Sequence, residues 1–101
     1  MSSQPDRGLL VTIEAKPGKQ NELAAFLNNA LMPITRESGT LTWYAYRITD
    51  STFGIYDTFS SEEGREAHLS GEVAEALGGI ADDLLTGPPE IQQIDVLAAK
   101  V

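Results

Sequence analysis

The fold turns on residues 41–59, LTWYAYRITDSTFGIYDTF. LTWYAYRI (41–48) and TFGIYDTF (52–59) are rich in aromatic and β-branched residues. Thr49-Asp50-Ser51 between them forms a short turn, so the stretch reads as a β-hairpin. Alternation puts Trp43 and Ala45 on one face of the first strand, with Tyr44, Tyr46 and Ile48 on the other. On the second strand Phe53, Ile55, Asp57 and Phe59 share a face. An acid in that apolar company costs free energy unless it is paired or functional. Asp57 is therefore the first candidate site residue.

Upstream, GLLVTIEAK (8–16) alternates Leu9, Val11, Ile13 and Ala15 against Thr12, Glu14 and Lys16, a half-buried strand that Pro17-Gly18 ends. Leu23, Phe26, Leu27, Ala30, Leu31 and Ile34 then mark an amphipathic helix, with a kink expected near Pro33. Glu37-Ser38-Gly39 closes it, Gly39 suiting a left-handed C-terminal position. Downstream of the hairpin, Ser60 and Glu63 have capping-box spacing, so a helix starts at Ser61-Glu62 and runs to about Leu69. Ser70-Gly71 breaks it. Val73, Ala76, Leu77, Ile80, Ala81, Leu84 and Leu85 give a third helical stripe, weakened by Gly78-Gly79 by about 1 kcal/mol per glycine. After Thr86-Gly87-Pro88-Pro89, EIQQIDVLAA (90–99) reads as a final edge strand.

The order β-α-β-β-α-α-β is the ferredoxin-like split βαβ, an α+β fold: a four-stranded antiparallel sheet with helices on one face. No further helix is left to cover the other face. A symmetric partner is the simplest cover, so a homodimer packed sheet to sheet is expected. Residues 8–101 read as one domain and residues 1–7 as a disordered lead.

Lys and Arg number 7 against 15 Asp and Glu, a net charge of −8, and the basic residues are scattered. Neither nucleic acid nor an anionic membrane surface is an expected partner. A neutral or aromatic partner is. Cysteine is absent, which excludes disulfides, thiolate catalysis and zinc–thiolate sites. With no apolar span and no secretory signal at the N-terminus, the expected location is cytoplasmic.

His68, in REAHLSG (65–71), is the only histidine. Its ordinary pKa suits acid–base chemistry near neutral pH. It lies in the helix that follows the Asp57 strand, where a carboxylate could fix its tautomer and raise its basicity. The alternative is a helix-end residue with one structural hydrogen bond. The hairpin aromatics could stack a flat substrate or simply fill a core or a dimer interface. Arg47 could anchor a substrate oxygen or end a strand in an ion pair. Arg65, Glu62, Glu63 and Glu66 read as a solvated helix face. No G-x-S-x-G marks a hydrolase and no phosphate loop is present. Asp82 and Asp83, adjacent on a helix, point apart, so no metal site is expected.

Taken together, IEAKPGKQNELAAFL, ESGTLTWYAYRITD and TFGIYDTFSSEEGREAHLSGE resemble the antibiotic biosynthesis monooxygenase family, including its quinol monooxygenase-like members. The resemblance runs from Gly8 to Lys100 and rests on the order and spacing of these pieces. It implies a dimeric α+β barrel with a pocket between sheet and helices. It also implies oxidation of a phenolic or quinol-type aromatic by O2 with no cofactor. The leading reading makes His68 the base and Asp57 its orienting partner, with Trp43, Tyr46, Phe59 and Arg47 contacting substrate. Two departures stand out. The family's usual Glu-x-Trp is Asp57-Thr58-Phe59 here. Haem-degrading relatives carry an asparagine and a histidine where this chain has Val11 and a residue near Leu77, so haem degradation is not expected. Other readings on the same scaffold are a non-catalytic dimeric binder of small molecules, an isomerase and a decarboxylase.

Overall fold

The structure, a computed structural model, describes residues 4–101. Its elements are β1 (Arg7–Glu14), α1 (Gln20–Thr35), β2 (Thr40–Arg47), β3 (Thr52–Phe59), α2 (Glu62–Leu69), α3 (Glu72–Leu84) and β4 (Glu90–Asp95). The strands form one antiparallel sheet in the order β2-β3-β1-β4. This is the expected α+β, ferredoxin-like arrangement. It leaves β2 and β4 as edges.

The period-two pattern decides which face is covered. Leu9, Val11 and Ile13 of β1 and Phe53, Ile55 and Phe59 of β3 meet Leu23 and Leu27 of α1 and Leu77 and Leu84 of α3 in one core. Each such side chain, fully buried, contributes roughly 1.5–3 kcal/mol. The opposite face carries Tyr44, Tyr46, Ile48 and Tyr56, and no helix lies on it. Tyr44 and Tyr56 stack there at 6.4 Å, and Tyr44 and Ile48 are each 57% exposed.

Several boundaries shift for local reasons. Residues 1–3 of the expected lead lie outside the described residues. Of the rest, Asp6 donates its N–H to the Phe59 carbonyl and Arg7 opens β1, so sheet pairing begins before Gly8. Pro33 sits in the last turn of α1. Ser61 rather than Ser60 caps α2, its Oγ accepting from Gly64 N–H at 3.0 Å. β4 stops at Asp95, four residues before the expected end; Val96 N–H turns to the Asp6 carbonyl. Gly39 is not left-handed: among the described residues only Gly18 has positive φ, at 83°. Gly39 serves close approach instead. A Cβ there would stand 2.8 Å from Gly64 Cα, and one on Gly64 would stand 2.9 Å from the Gly39 carbonyl oxygen. The two glycines let α2 settle against the loop between α1 and β2.

Candidate active site

Helix α2 is short, and the side it turns to the sheet is polar. Its buried residues are Arg65 and His68, one turn apart. Arg65 is thus not on a solvated face. Its guanidinium donates to the carbonyls of Gly8 at 3.3 Å and Ile94 at 3.5 Å and pairs with Glu62 at 2.7 Å. It ties α2 to β1 and the end of β4.

His68 points inward, towards Asp57. Its Nε2 lies 2.9 Å from Asp57 Oδ2. That approach is short but bent, so the two form an ion pair rather than a straight hydrogen bond, and the Asp57 carboxylate has no other donor. Asp57 is fully buried, its side chain at 0% exposure. Nδ1 of the same ring contacts Glu37 Oε1 at 2.7 Å. Both ring nitrogens therefore face carboxylates. A neutral imidazole has one donor and one lone pair, so between two deprotonated carboxylates only the cation satisfies both neighbours. Burial opposes the ring's charge, but Asp57 and Glu37 together outweigh it and hold the His68 pKa above its ordinary 6.5. In this arrangement His68 is a proton holder with no free lone pair. Both nitrogens that a base would use are thus engaged by carboxylates.

Glu37 is the residue that sequence reasoning missed, because Glu37-Ser38-Gly39 looked only like a helix end. The available signal was Thr40, three residues on, whose hydroxyl donates to Glu37 Oε1 at 2.8 Å. A β-bulge between Thr40 and Thr42 makes that contact. Three residues apart on a regular strand, Thr40 and Trp43 would face opposite ways. With the bulge, Thr40 pairs with Phe59 and Trp43 with Asp57, so both turn to the helix face.

Where α1 ends along the free edge of β2 there is a groove of about 270 Å³. Leu31, Ile34, Glu37, Thr40, Leu41 and Trp43 line it. Glu37 keeps 21% of its side chain accessible there. The Trp43 indole N–H is buried and has no partner among the described residues. A buried donor left unsatisfied costs about 1–3 kcal/mol. His68 and Asp57 do not line this groove; they stand behind Glu37.

The remaining expected contacts divide. Phe59 is fully buried, its ring 5.5 Å from the His68 ring, so it packs the cluster and reaches no groove. Tyr46 lies on the open sheet face over Gly54, where a Cβ would stand 2.4 Å from its ring. Arg47 stacks over Phe53 at 4.8 Å. It sits four residues beyond Trp43, about 13 Å along the strand. Tyr46 and Arg47 border a separate groove of about 170 Å³ with Ala24, Leu27 and Phe53. They are not brought to the His68 cluster. Val11 and Leu77 are both buried core residues without a ligating atom, so nothing there fits a haem. Among the described residues no cluster of three His, Asp or Glu side chains could hold a metal ion. None of the described helices is long and apolar enough to cross a membrane.

No family model and no curated protein matches the chain. Solved structures do. A protein of unknown function from Nitrosomonas europaea is 45% identical over 99% of this chain and 97% of its own, with a TM-score of 0.96. A "putative antibiotic biosynthesis monooxygenase" from Caulobacter crescentus is 20% identical, covering 94% of this chain and 92% of its own, at 0.78. A second protein so described, from Nitrosomonas europaea, is 14% identical over 91% and 99%, at 0.82.

Proposed function

The chain belongs to one family with that Nitrosomonas europaea protein of unknown function and has the fold of the antibiotic biosynthesis monooxygenases, and from this premise we propose that it oxidises a phenolic or quinol-type aromatic with O2. One observation carries the reading: the buried Asp57–His68–Glu37 chain ends at a groove walled by Leu31, Ile34, Leu41 and Trp43, in which Glu37 stays accessible. A neutral aromatic fits those walls, with a hydroxyl for the acidic end.

The reaction balances without a further reactant. The substrate hydroxyl gives its proton to the cluster and the ring gives one electron to O2. The resulting aryloxyl radical and superoxide join in a C–O bond. The peroxide anion takes the proton back, and loss of water leaves a ring carbonyl. One oxygen atom enters the product, the other leaves as water, and the substrate supplies the electrons. One-electron oxidation makes a phenolic O–H strongly acidic, so a weak base placed within hydrogen-bond reach suffices. The sheet face bearing Tyr44, Tyr46 and Ile48 is, in this reading, where two copies pair. Sedimentation at the mass of one chain would sink that part.

A second reading, a non-catalytic binder of the same ligands, draws on one fact: both His68 nitrogens are already engaged. An oxygen electrode separates the two. With a panel of hydroquinones and anthrone-type phenols, the monooxygenase consumes one O2 per product molecule that has gained an oxygen atom, and releases no hydrogen peroxide. Binding without oxygen uptake above buffer favours the binder.

A further inference from the structure

We infer that Glu37, and not His68, is the group that meets the substrate hydroxyl, and that it makes this groove select neutral phenols over phenolates. The inference rests on the reading above for its ligand class and adds the contact atom and the selectivity.

Accessibility argues first. His68 is 9% exposed by its side chain and Asp57 0%, whereas Glu37 is 21% exposed and lines the groove. Bonding capacity agrees. Glu37 Oε1 already takes His68 Nδ1 and the Thr40 hydroxyl, which fixes the carboxylate and leaves Oε2 without a protein donor. Oε2 lies beside Gly71, 3.4 Å from where a Cβ would be. A carboxylate so held accepts one more hydrogen bond and offers none.

Charge completes the argument. Among the described residues, His68 of α2 is the titratable side chain paired with Glu37, and Asp57 of β3 stands behind it; β2 contributes the uncharged Thr40 hydroxyl. Two carboxylates around one imidazolium leave a net negative cluster. A phenol can donate to it, and a phenolate is repelled. During turnover the substrate O–H bond breaks towards Oε2 as the electron leaves the ring. The proton waits on Glu37 until the peroxide anion reclaims it. His68 holds the carboxylate in position and does not touch substrate.

The test uses 4-nitrophenol, whose neutral and anionic forms differ in colour and interconvert near neutral pH. Equilibrium dialysis on both sides of that transition should find the neutral form bound about tenfold more tightly by the native protein, from like-charge repulsion in a partly dry groove. Glu37→Gln should bind the two forms alike. His68→Gln, which removes the compensating cation, should widen the preference. Equal or tighter binding of the anion by the native protein overturns the proposal. So does an unchanged preference in Glu37→Gln, a lost preference in His68→Gln, or no binding of either form. Should Glu37→Gln fail to fold, Glu37→Asp withdraws the carboxylate by one methylene. It should keep the preference and lower quinol turnover at least about tenfold; unchanged turnover overturns the role. If the neutral preference holds and no quinol consumes oxygen, the monooxygenase reading falls and the contact assigned to Glu37 stands.

Discussion

Helices α2 and α3 follow each other with only Ser70 and Gly71 between them, and both cover the same face of the sheet. They are held there by opposite means. α3 buries Val73, Leu77 and Leu84, an apolar stripe at helical spacing. α2 buries Arg65 and His68, and its hold depends on carbonyls, Asp57 and Glu37. Apolar burial is non-directional and insensitive to pH. A buried charge is neither; it demands its partners in place and one protonation state. α3 is fastened for stability, whereas α2 is fastened so that a few polar atoms take fixed positions beside a groove.

Cutting each fastening should show the difference. His68→Leu leaves the Asp57 carboxylate buried without its cation, and should cost about 3–5 kcal/mol in urea unfolding. Adding Asp57→Leu to that variant should return part of the loss, since two apolar groups owe each other nothing. Leu77→Ala on α3 should cost about 2–5 kcal/mol, with no second-site rescue from the charged cluster. If His68→Leu is as mild as a surface change, the polar fastening of α2 is misread.

A smaller effect should come from the seam between α2 and the loop after α1. A methyl on Gly64 would stand 2.9 Å from the Gly39 carbonyl oxygen, and backbone rather than a flexible side chain must give way. Gly64→Ala should cost about 1–3 kcal/mol. Its more telling consequence is local: pushing α2 outward parts His68 from Glu37. Quinol turnover and the neutral-phenol preference should both fall by more than the stability loss explains. Gly78→Ala, in open space on α3, should change neither.

The same contrast explains what the sequence made legible. Strands and helices followed from apolar periodicity, because Leu9, Val11, Ile13, Leu77 and Leu84 each report their face through a repeating neighbour pattern. Asp57 was legible for the converse reason, as a polar residue breaking such a pattern, and its pairing with His68 was anticipated. Glu37 was not. Its role depends on a bulge and on two glycines in contact across separate loops, and none of these leaves a periodic trace. Arg65 was misread because a charged residue on a short helix ordinarily faces water. Grouping Tyr46 and Arg47 with Trp43 around one pocket overlooks that alternation sets Tyr46 on the other face and strand rise sets Arg47 too far along.

The finest distinction between the two helices is their response to pH. In the folded chain the His68 pKa is raised, since Asp57 and Glu37 outweigh burial; in the unfolded chain it takes its ordinary 6.5. A raised folded pKa means that the native state binds the proton more tightly than the unfolded state does. Its contribution to stability is then complete below 6.5 and declines as pH rises through the folded value. Stability should therefore fall from near neutral into the mildly alkaline range, where carboxylates do not titrate. Leu77→Ala should shift that curve down without changing its slope, because α3 carries no part of the linkage. His68→Gln should flatten it across the same window. A native curve that is level there, or a His68→Gln curve that keeps the slope, would mean that the ring is neutral in the fold. One carboxylate beside it would then have to carry the proton instead.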